Sequence, residues 1–161
     1  MDQTQFVATF RAHLPAVSKF LTRRVERSDV EDLAADVFEI AWRKRKDCPD
    51  GMELAWLYRI AGYVVSNYRR KQQRRGFLFE LTDTDNSSPS AEDLALASGA
   101  IAEAFARLST SDQQTLSLVA FEGLAVNELA TALGVSANSA SQRLKRARTR
   151  FANHLKDLSE T

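Results

Sequence analysis

Cysteine is almost missing from this chain, with Cys48 the single one in 161 residues. One thiol excludes an internal disulfide framework and a cysteine-built metal site, and leaves Cys48 as an incidental loop residue. Histidine is nearly as scarce, with two. His13 lies near Pro15 and His154 near the C-terminal end, without a paired base or a ligand cluster at workable spacing, so no catalysis, cofactor or metal is expected. No apolar run is long enough to span a bilayer and the N-terminus lacks a signal-peptide pattern, which predicts a cytoplasmic protein with no membrane insertion. Net charge of one sign is lacking too, the formal value being +1.

That balance hides segregation. Arg43 to Lys46 and Arg69 to Arg75 are basic runs, whereas Phe77 to Ala106 carries Glu80, Asp83, Asp85, Glu92, Asp93 and Glu103 without a Lys or Arg. Blocks separated in this way predict two cationic surfaces joined by an acidic connector.

What is present in strength is the stretch from Glu122 to Phe151. Val126, Leu129, Ala130 and Leu133 recur at helical spacing, Gly134 ends that helix where a positive φ is wanted, and Ser136 can cap the next one. The pattern is a helix-turn-helix. Its second helix turns Leu144, Ala147 and Phe151 to one side, freeing Asn138, Ser139, Ser141, Gln142, Arg143, Lys145 and Arg146. A polar, cationic face without acids suits a DNA major groove, where phosphates take Arg and Lys and base edges take Asn, Gln, Ser and Arg.

Taken in order, Phe6, Phe10, Leu14, Val17 and Leu21 step along one face of a first helix, which Pro15 should kink or split. A second begins at Ser28 or Asp29, where DVED offers caps. It buries Val30, Leu33, Val37, Phe38 and Ala41 up to Trp42, and shows an acidic outer face of Glu31, Asp32, Asp36 and Glu39. A loop follows, through Cys48, Pro49, Asp50 and Gly51. From Glu53 to about Gln73 a third helix sets Leu54, Leu57, Ile60, Ala61, Val64, Val65 and Tyr68 in a core stripe beside exposed Trp56, Tyr58, Arg59 and Tyr63. Aromatics and arginines interleaved ahead of NYRRKQQRR form a surface for single-stranded nucleic acid. Helical spacing by itself would place Trp56 and Tyr58 in the core; the terminal basic run draws the helix as a whole towards nucleic acid.

Leu81 to Ser90 is polar, acidic and without periodicity, which predicts a flexible linker. Beyond it, Ser90 with Asp93 opens a helix carrying Leu94, Ile101, Phe105 and Leu108 and weakened by Gly99. Ser109 with Asp112 opens another, closing at Gly123. The expected class is all-α, as two small helical domains, 1–76 and 93–161, joined by an acidic linker over 77–92.

Three segments in this order, DVEDLAADVFEIAW, AWLYRIAGYVVSNYRRK and LSTSDQQTLSLVAFEGLAVNELATALGVSANSASQRLKRAR, resemble regions 2 and 4 of the extracytoplasmic-function (ECF) sigma factors of the sigma-70 class. The resemblance covers nearly the whole chain. It implies a dissociable subunit of bacterial RNA polymerase that recognises and melts promoters, contacts the β′ clamp helices and β flap, and is held in check by an anti-sigma factor. By motif position, Asp29, Asp32, Leu33, Asp36, Phe38 and Trp42 match the segment that docks on core polymerase. The loop from Asp47 to Glu53, with Asp50, matches one that captures a flipped base. Asn67, Tyr68, Arg69 and Arg70 match the helix contacting the −10 element, to which the exposed Trp56, Tyr58, Arg59 and Tyr63 are added. Ser136, Asn138, Ser139, Ser141, Gln142, Arg143 and Arg146 match the −35 reading helix, with Lys145 beside them. Gly62 and Tyr63 replace the Arg-Asn of many members, and Ser141 and Gln142 replace a frequent Lys-Ser, so promoter preference does not carry over.

Two rivals fit less well. A stand-alone helix-turn-helix repressor needs a dimer interface or sensor pocket where this chain has an acidic helix followed by an aromatic-basic one. A magnesium nuclease built on Asp29, Asp32 and Asp36 gives way to caps and partner contacts, since those acids recur along a helix.

Overall fold

The first helix starts from a closed capping box: Asp2 Oδ1 accepts the Gln5 backbone N–H at 2.8 Å and Gln5 Oε1 accepts the Asp2 N–H at 2.9 Å. Two of the donors that a helix start leaves open are thereby satisfied. From there α1 (Gln3–Thr22) continues through Pro15, so the split allowed by the sequence does not occur. Pro15 lies on the exposed side, where solvent can serve the carbonyl that has lost its donor, while Val17, Phe20 and Leu21 are buried on the other.

The structure, a computed structural model, describes residues 1–78 and 99–160. Among these are seven α-helices and no strand: α1, then α2 (Val30–Arg43), α3 (Glu53–Leu78), α4 (Gly99–Ala106), α5 (Thr110–Ala120), α6 (Val126–Leu133) and α7 (Ala137–Ser159). They fall into two compact units, one within Met1–Ser87 and one within Ser88–Thr161. Most of the segment expected as a linker over 77–92, and the helix opening at Ser90 and Asp93 with Leu94, lie outside the described residues. The first two positions of that expected linker belong to α3, which overruns its expected end near Gln73.

In the N-terminal unit the three helices pack on one another. Phe6 meets Trp42 edge-on with ring centroids 5.0 Å apart, and Phe10 meets Phe38 in the same way at 4.4 Å. The pairs step forward in α1 and back in α2, one helical turn at a time, which fixes the two helices as antiparallel neighbours. Phe20 stacks on Tyr58 of α3 at 5.2 Å. Arg24 is buried and still served, its guanidinium over the Phe20 ring and its Nη1 donating to the Phe20 carbonyl at 2.9 Å.

In the C-terminal unit α7 packs against α4, α5 and α6. Ser109 caps α5 by accepting the Asp112 N–H at 3.1 Å. Gln113, one residue further, donates from Nε2 to the carbonyls of Phe105 and Leu108 at 3.0 and 3.2 Å, closing the end of α4. The core between these helices is made by Phe105, Leu108, Leu118, Leu129 and Leu144 with small residues, Ala130, Ala140 and Ala147, where helices approach.

Candidate nucleic-acid interface

The turn between α6 and α7 orients the C-terminal surface. Gly134 has φ 69° and ψ 36°, left-handed values that cost an L side chain. Its N–H reaches the Thr131 carbonyl at 3.2 Å and the Val135 N–H reaches Ala130 at 3.0 Å, the paired bonds of a Schellman ending. Ser136 then caps α7, its Oγ accepting the Ser139 N–H at 3.1 Å. Ala140, Leu144 and Ala147 are buried beneath this helix, which leaves Asn138, Ser141, Gln142, Arg143, Lys145 and Arg146 exposed side by side, with Ser139 half-buried. Ser136 is exposed as well, although its hydroxyl is committed to the cap.

Further along α7 the basic residues divide. Arg148 is exposed, whereas Arg150 Nη1 lies 3.1 and 3.0 Å from the two carboxylate oxygens of Asp112, itself only 7% exposed. Arg150 is thus tied to α5.

The N-terminal unit redistributes the residues the sequence assigns to DNA. Trp56 and Tyr58 are core, 8% and 4% exposed, and the reading of them as surface platforms is corrected. They share the inward side of α3 with Leu57 and Ile60, and Tyr58 is stacked on Phe20, so neither ring offers a face to a base. Arg59, Tyr63 and Arg70 are exposed on α3, with Tyr63 at 61%. Asp50 is exposed in the loop ahead of α3, next to Gly51 at φ 77°. Asn67 and Tyr68 are half-buried. So is Arg69, whose Nε and Nη2 are enclosed without a hydrogen-bond partner and whose pKa is lowered by burial.

Among the residues matched to polymerase docking, Asp32 and Asp36 are exposed on α2 and Leu33 is half-buried. Phe38 is buried against Phe10, which removes it from the surface and corrects its assignment, by motif position, to polymerase docking. Trp42 is half-buried, with Phe6 at its edge and the Arg45 guanidinium 3.8 Å over its ring. Asp29 does not cap α2 with its side chain. It accepts a hydrogen bond from the Tyr68 hydroxyl at 2.8 Å.

A groove of about 300 Å³ between α2 and α3 brings together what the sequence separates. Leu33 and Asp36, matched to polymerase, line it with Asn67 and Tyr68, matched to DNA, and with Tyr63, added to the DNA set as an exposed aromatic. Glu39, Ile40, Arg43, Val64 and Lys71 complete it and were not assigned to a site from sequence. Their signal is the helical spacing of 33, 36, 40 and 43 on α2 and of 64, 67, 68 and 71 on α3. Cys48 sits half-buried in the preceding loop, and desolvation, then Glu53 and Asp50, push its thiol up to about 11. Among the described residues no group of three or more His, Cys, Asp or Glu is placed to hold a metal, and no helix is long and apolar enough to cross a membrane.

Comparison with known proteins adds a family. The ECF sigma factor family profile matches residues 15–157. RNA polymerase sigma factor NccH of Alcaligenes xylosoxydans is 33% identical over 136 residues, covering 79% of this chain and 73% of that protein. RNA polymerase sigma factor CnrH of Cupriavidus metallidurans is 30% identical over 141 residues, covering 80% and 74%. The solved structure of CnrH in complex with the cytosolic domain of CnrY superposes with a TM-score of 0.62 at 25% identity, covering 97% of this chain and 90% of that one.

Proposed function

The chain belongs to the ECF sigma factor family, and from that premise we propose that it is an alternative sigma factor, which binds core RNA polymerase and directs promoter-specific initiation without catalysing a reaction of its own. The observation that carries this reading is that the family match runs through both helical units, from residue 15 to residue 157. A helix-turn-helix regulator would share only the second.

In this reading α7 enters the major groove at −35 by its capped N-terminal end. Asn138, Ser141, Gln142 and Arg143 reach base edges, and Lys145 and Arg146 meet phosphates. The exposed stripe of Arg59, Tyr63 and Arg70 on α3, with Asp50 in the loop before it, serves the single-stranded −10 element, where an exposed ring can stack on a base. The acidic face of α2, Asp32 and Asp36, meets basic clamp residues of core polymerase, with charge setting register more than affinity. Regulation by an anti-sigma factor is supported by the relative CnrH, whose structure was solved with the cytosolic domain of CnrY. The cytoplasm, where bacterial polymerase works, is the compartment this role requires.

Run-off transcription on genomic DNA with core polymerase, with and without the protein, tests the proposal. New initiation sites that depend on the protein are expected. Binding to DNA with no new start sites would instead identify a stand-alone regulator.

A further inference from the structure

The Tyr68 hydroxyl and the Asp29 carboxylate, 39 positions apart, are joined by a hydrogen bond of 2.8 Å. The two residues belong to surfaces with different expected jobs. Asp29 stands at the start of α2, directly ahead of the exposed acids Glu31 and Asp32, and Tyr68 stands on α3, directly ahead of Arg69 and Arg70. We propose that this pair is a positioning latch between the polymerase-docking helix and the −10 helix, so that Tyr68 acts on promoter DNA by holding α3 in place and not by stacking on a base. The inference rests on the sigma-factor reading above and names a role within it.

Three observations carry it. First, the Tyr68 hydroxyl has a single proton to donate, and that proton is committed to Asp29. Burial, followed by the bond to Asp29, raises the phenol pKa and keeps the proton there. Second, the ring is half-buried along the α2–α3 groove beside Leu33 and Asn67, whereas Tyr63 on the same helix is 61% exposed. The ring free to stack is Tyr63. Third, Asp29 is a favourable capping residue at the first turn of α2 and yet makes no cap bond. Its carboxylate reaches across to another helix, forgoing a local contact for a tertiary one. A charge-assisted hydrogen bond of this length is directional, so displacement at either end is felt at the other.

The test is a double-mutant cycle on the full chain bound to core polymerase, with Tyr68→Phe, Asp29→Ala and the double variant, plus Asp29→Asn, whose amide oxygen can still accept the phenol proton. Opening of the −10 element is followed by 2-aminopurine fluorescence in promoter DNA, at saturating protein and at a temperature where circular dichroism shows each variant fully helical. Tyr68→Phe and Asp29→Ala are each expected to slow opening about fivefold, the double variant to be no slower than either, and Asp29→Asn to recover most of the rate. Asp29→Ala without effect, or effects that multiply in the double variant, would overturn the latch, as would Tyr68→Phe at the normal rate. Wild-type initiation is scored first. Its absence overturns the functional reading itself, whereas normal wild-type opening with multiplicative variants overturns the latch alone.

Discussion

Arg150 and Asp112 are 38 residues apart in sequence, and one guanidinium nitrogen bridges both oxygens of the carboxylate. The carboxylate side chain is 10% exposed and the guanidinium 56%. That asymmetry decides what each substitution does. Removing Arg150 strands a nearly enclosed charge, whereas removing Asp112 leaves a cation that water can hydrate.

Arg150→Ala is therefore expected to lower the stability of the C-terminal unit by about 1–2 kcal/mol, less than a fully buried pair because solvent screens the arginine side. The salt dependence of −35 binding should not change. Urea unfolding together with a salt titration of promoter binding checks both. A flatter salt slope would mean that Arg150 leaves Asp112 for a phosphate.

Lys145 and Gln142, exposed on the same helix, should separate affinity from choice. Gln142→Ala is expected to alter the preferred −35 bases at a cost of ~1–3 kcal/mol on the best site, and Lys145→Ala to weaken all sites alike while reducing the salt slope by about one contact. Sequencing transcripts from a randomised −35 library gives the answer. Base preference that moves with Lys145 and not with Gln142 would require a different rotation of α7 in the groove.

Trp56 and Tyr63 sit seven positions apart on α3 and should fail in opposite ways. Trp56→Ala is expected to cost ~3–5 kcal/mol of stability through the cavity it leaves. Tyr63→Ala should stay within about 0.5 kcal/mol of the parent in stability and lose ~1–3 kcal/mol in affinity for a single-stranded −10 oligonucleotide. Thermal melts and oligonucleotide anisotropy on the two variants distinguish the roles.

Cys48 should be a sluggish thiol. Its pKa is pushed from 9.0 to about 11 in the folded chain, so the protonated form is favoured and little thiolate exists at neutral pH. Alkylation by iodoacetamide at pH 8 is expected to be roughly a hundredfold slower than in the unfolded chain, rising about tenfold per pH unit up to about pH 11. Mass spectrometry of timed quenches measures it; folded and unfolded rates that match would remove the effect of burial.

The helix-turn-helix was the most legible part of the sequence because its signals are local. Gly134, the Ser136 cap and the Leu144 and Ala147 stripe depend only on near neighbours, and all are found in the structure. The faces of α3 were legible only in part. Helical spacing by itself places Trp56 and Tyr58 inside, and it is the basic run further along the helix that draws them to the surface; α3 packs against both α1 and α2, and its wide apolar arc takes in both rings. Phe38 carries two readings that conflict, since the spacing of α2 buries it while motif position assigns it to docking, and its contact with Phe10 on another helix decides for burial. Asp29 and Arg150 were the hardest. Each carries the right local chemistry for a cap or a phosphate contact, and each is claimed by a residue far along the chain.

The division of labour along α7 has an evolutionary consequence. Its orientation is set by Gly134, the Ser136 cap, the buried Ala140, Leu144 and Ala147, and the Arg150–Asp112 tie. None of these is among the exposed residues Asn138, Ser141, Gln142 and Arg143 that face away from the unit. Substitutions at the second set leave the first untouched, so on the proposed reading of α7 mutation can explore new base preferences without eroding the scaffold, and lineages can rewire promoter choice while inheriting the same fold.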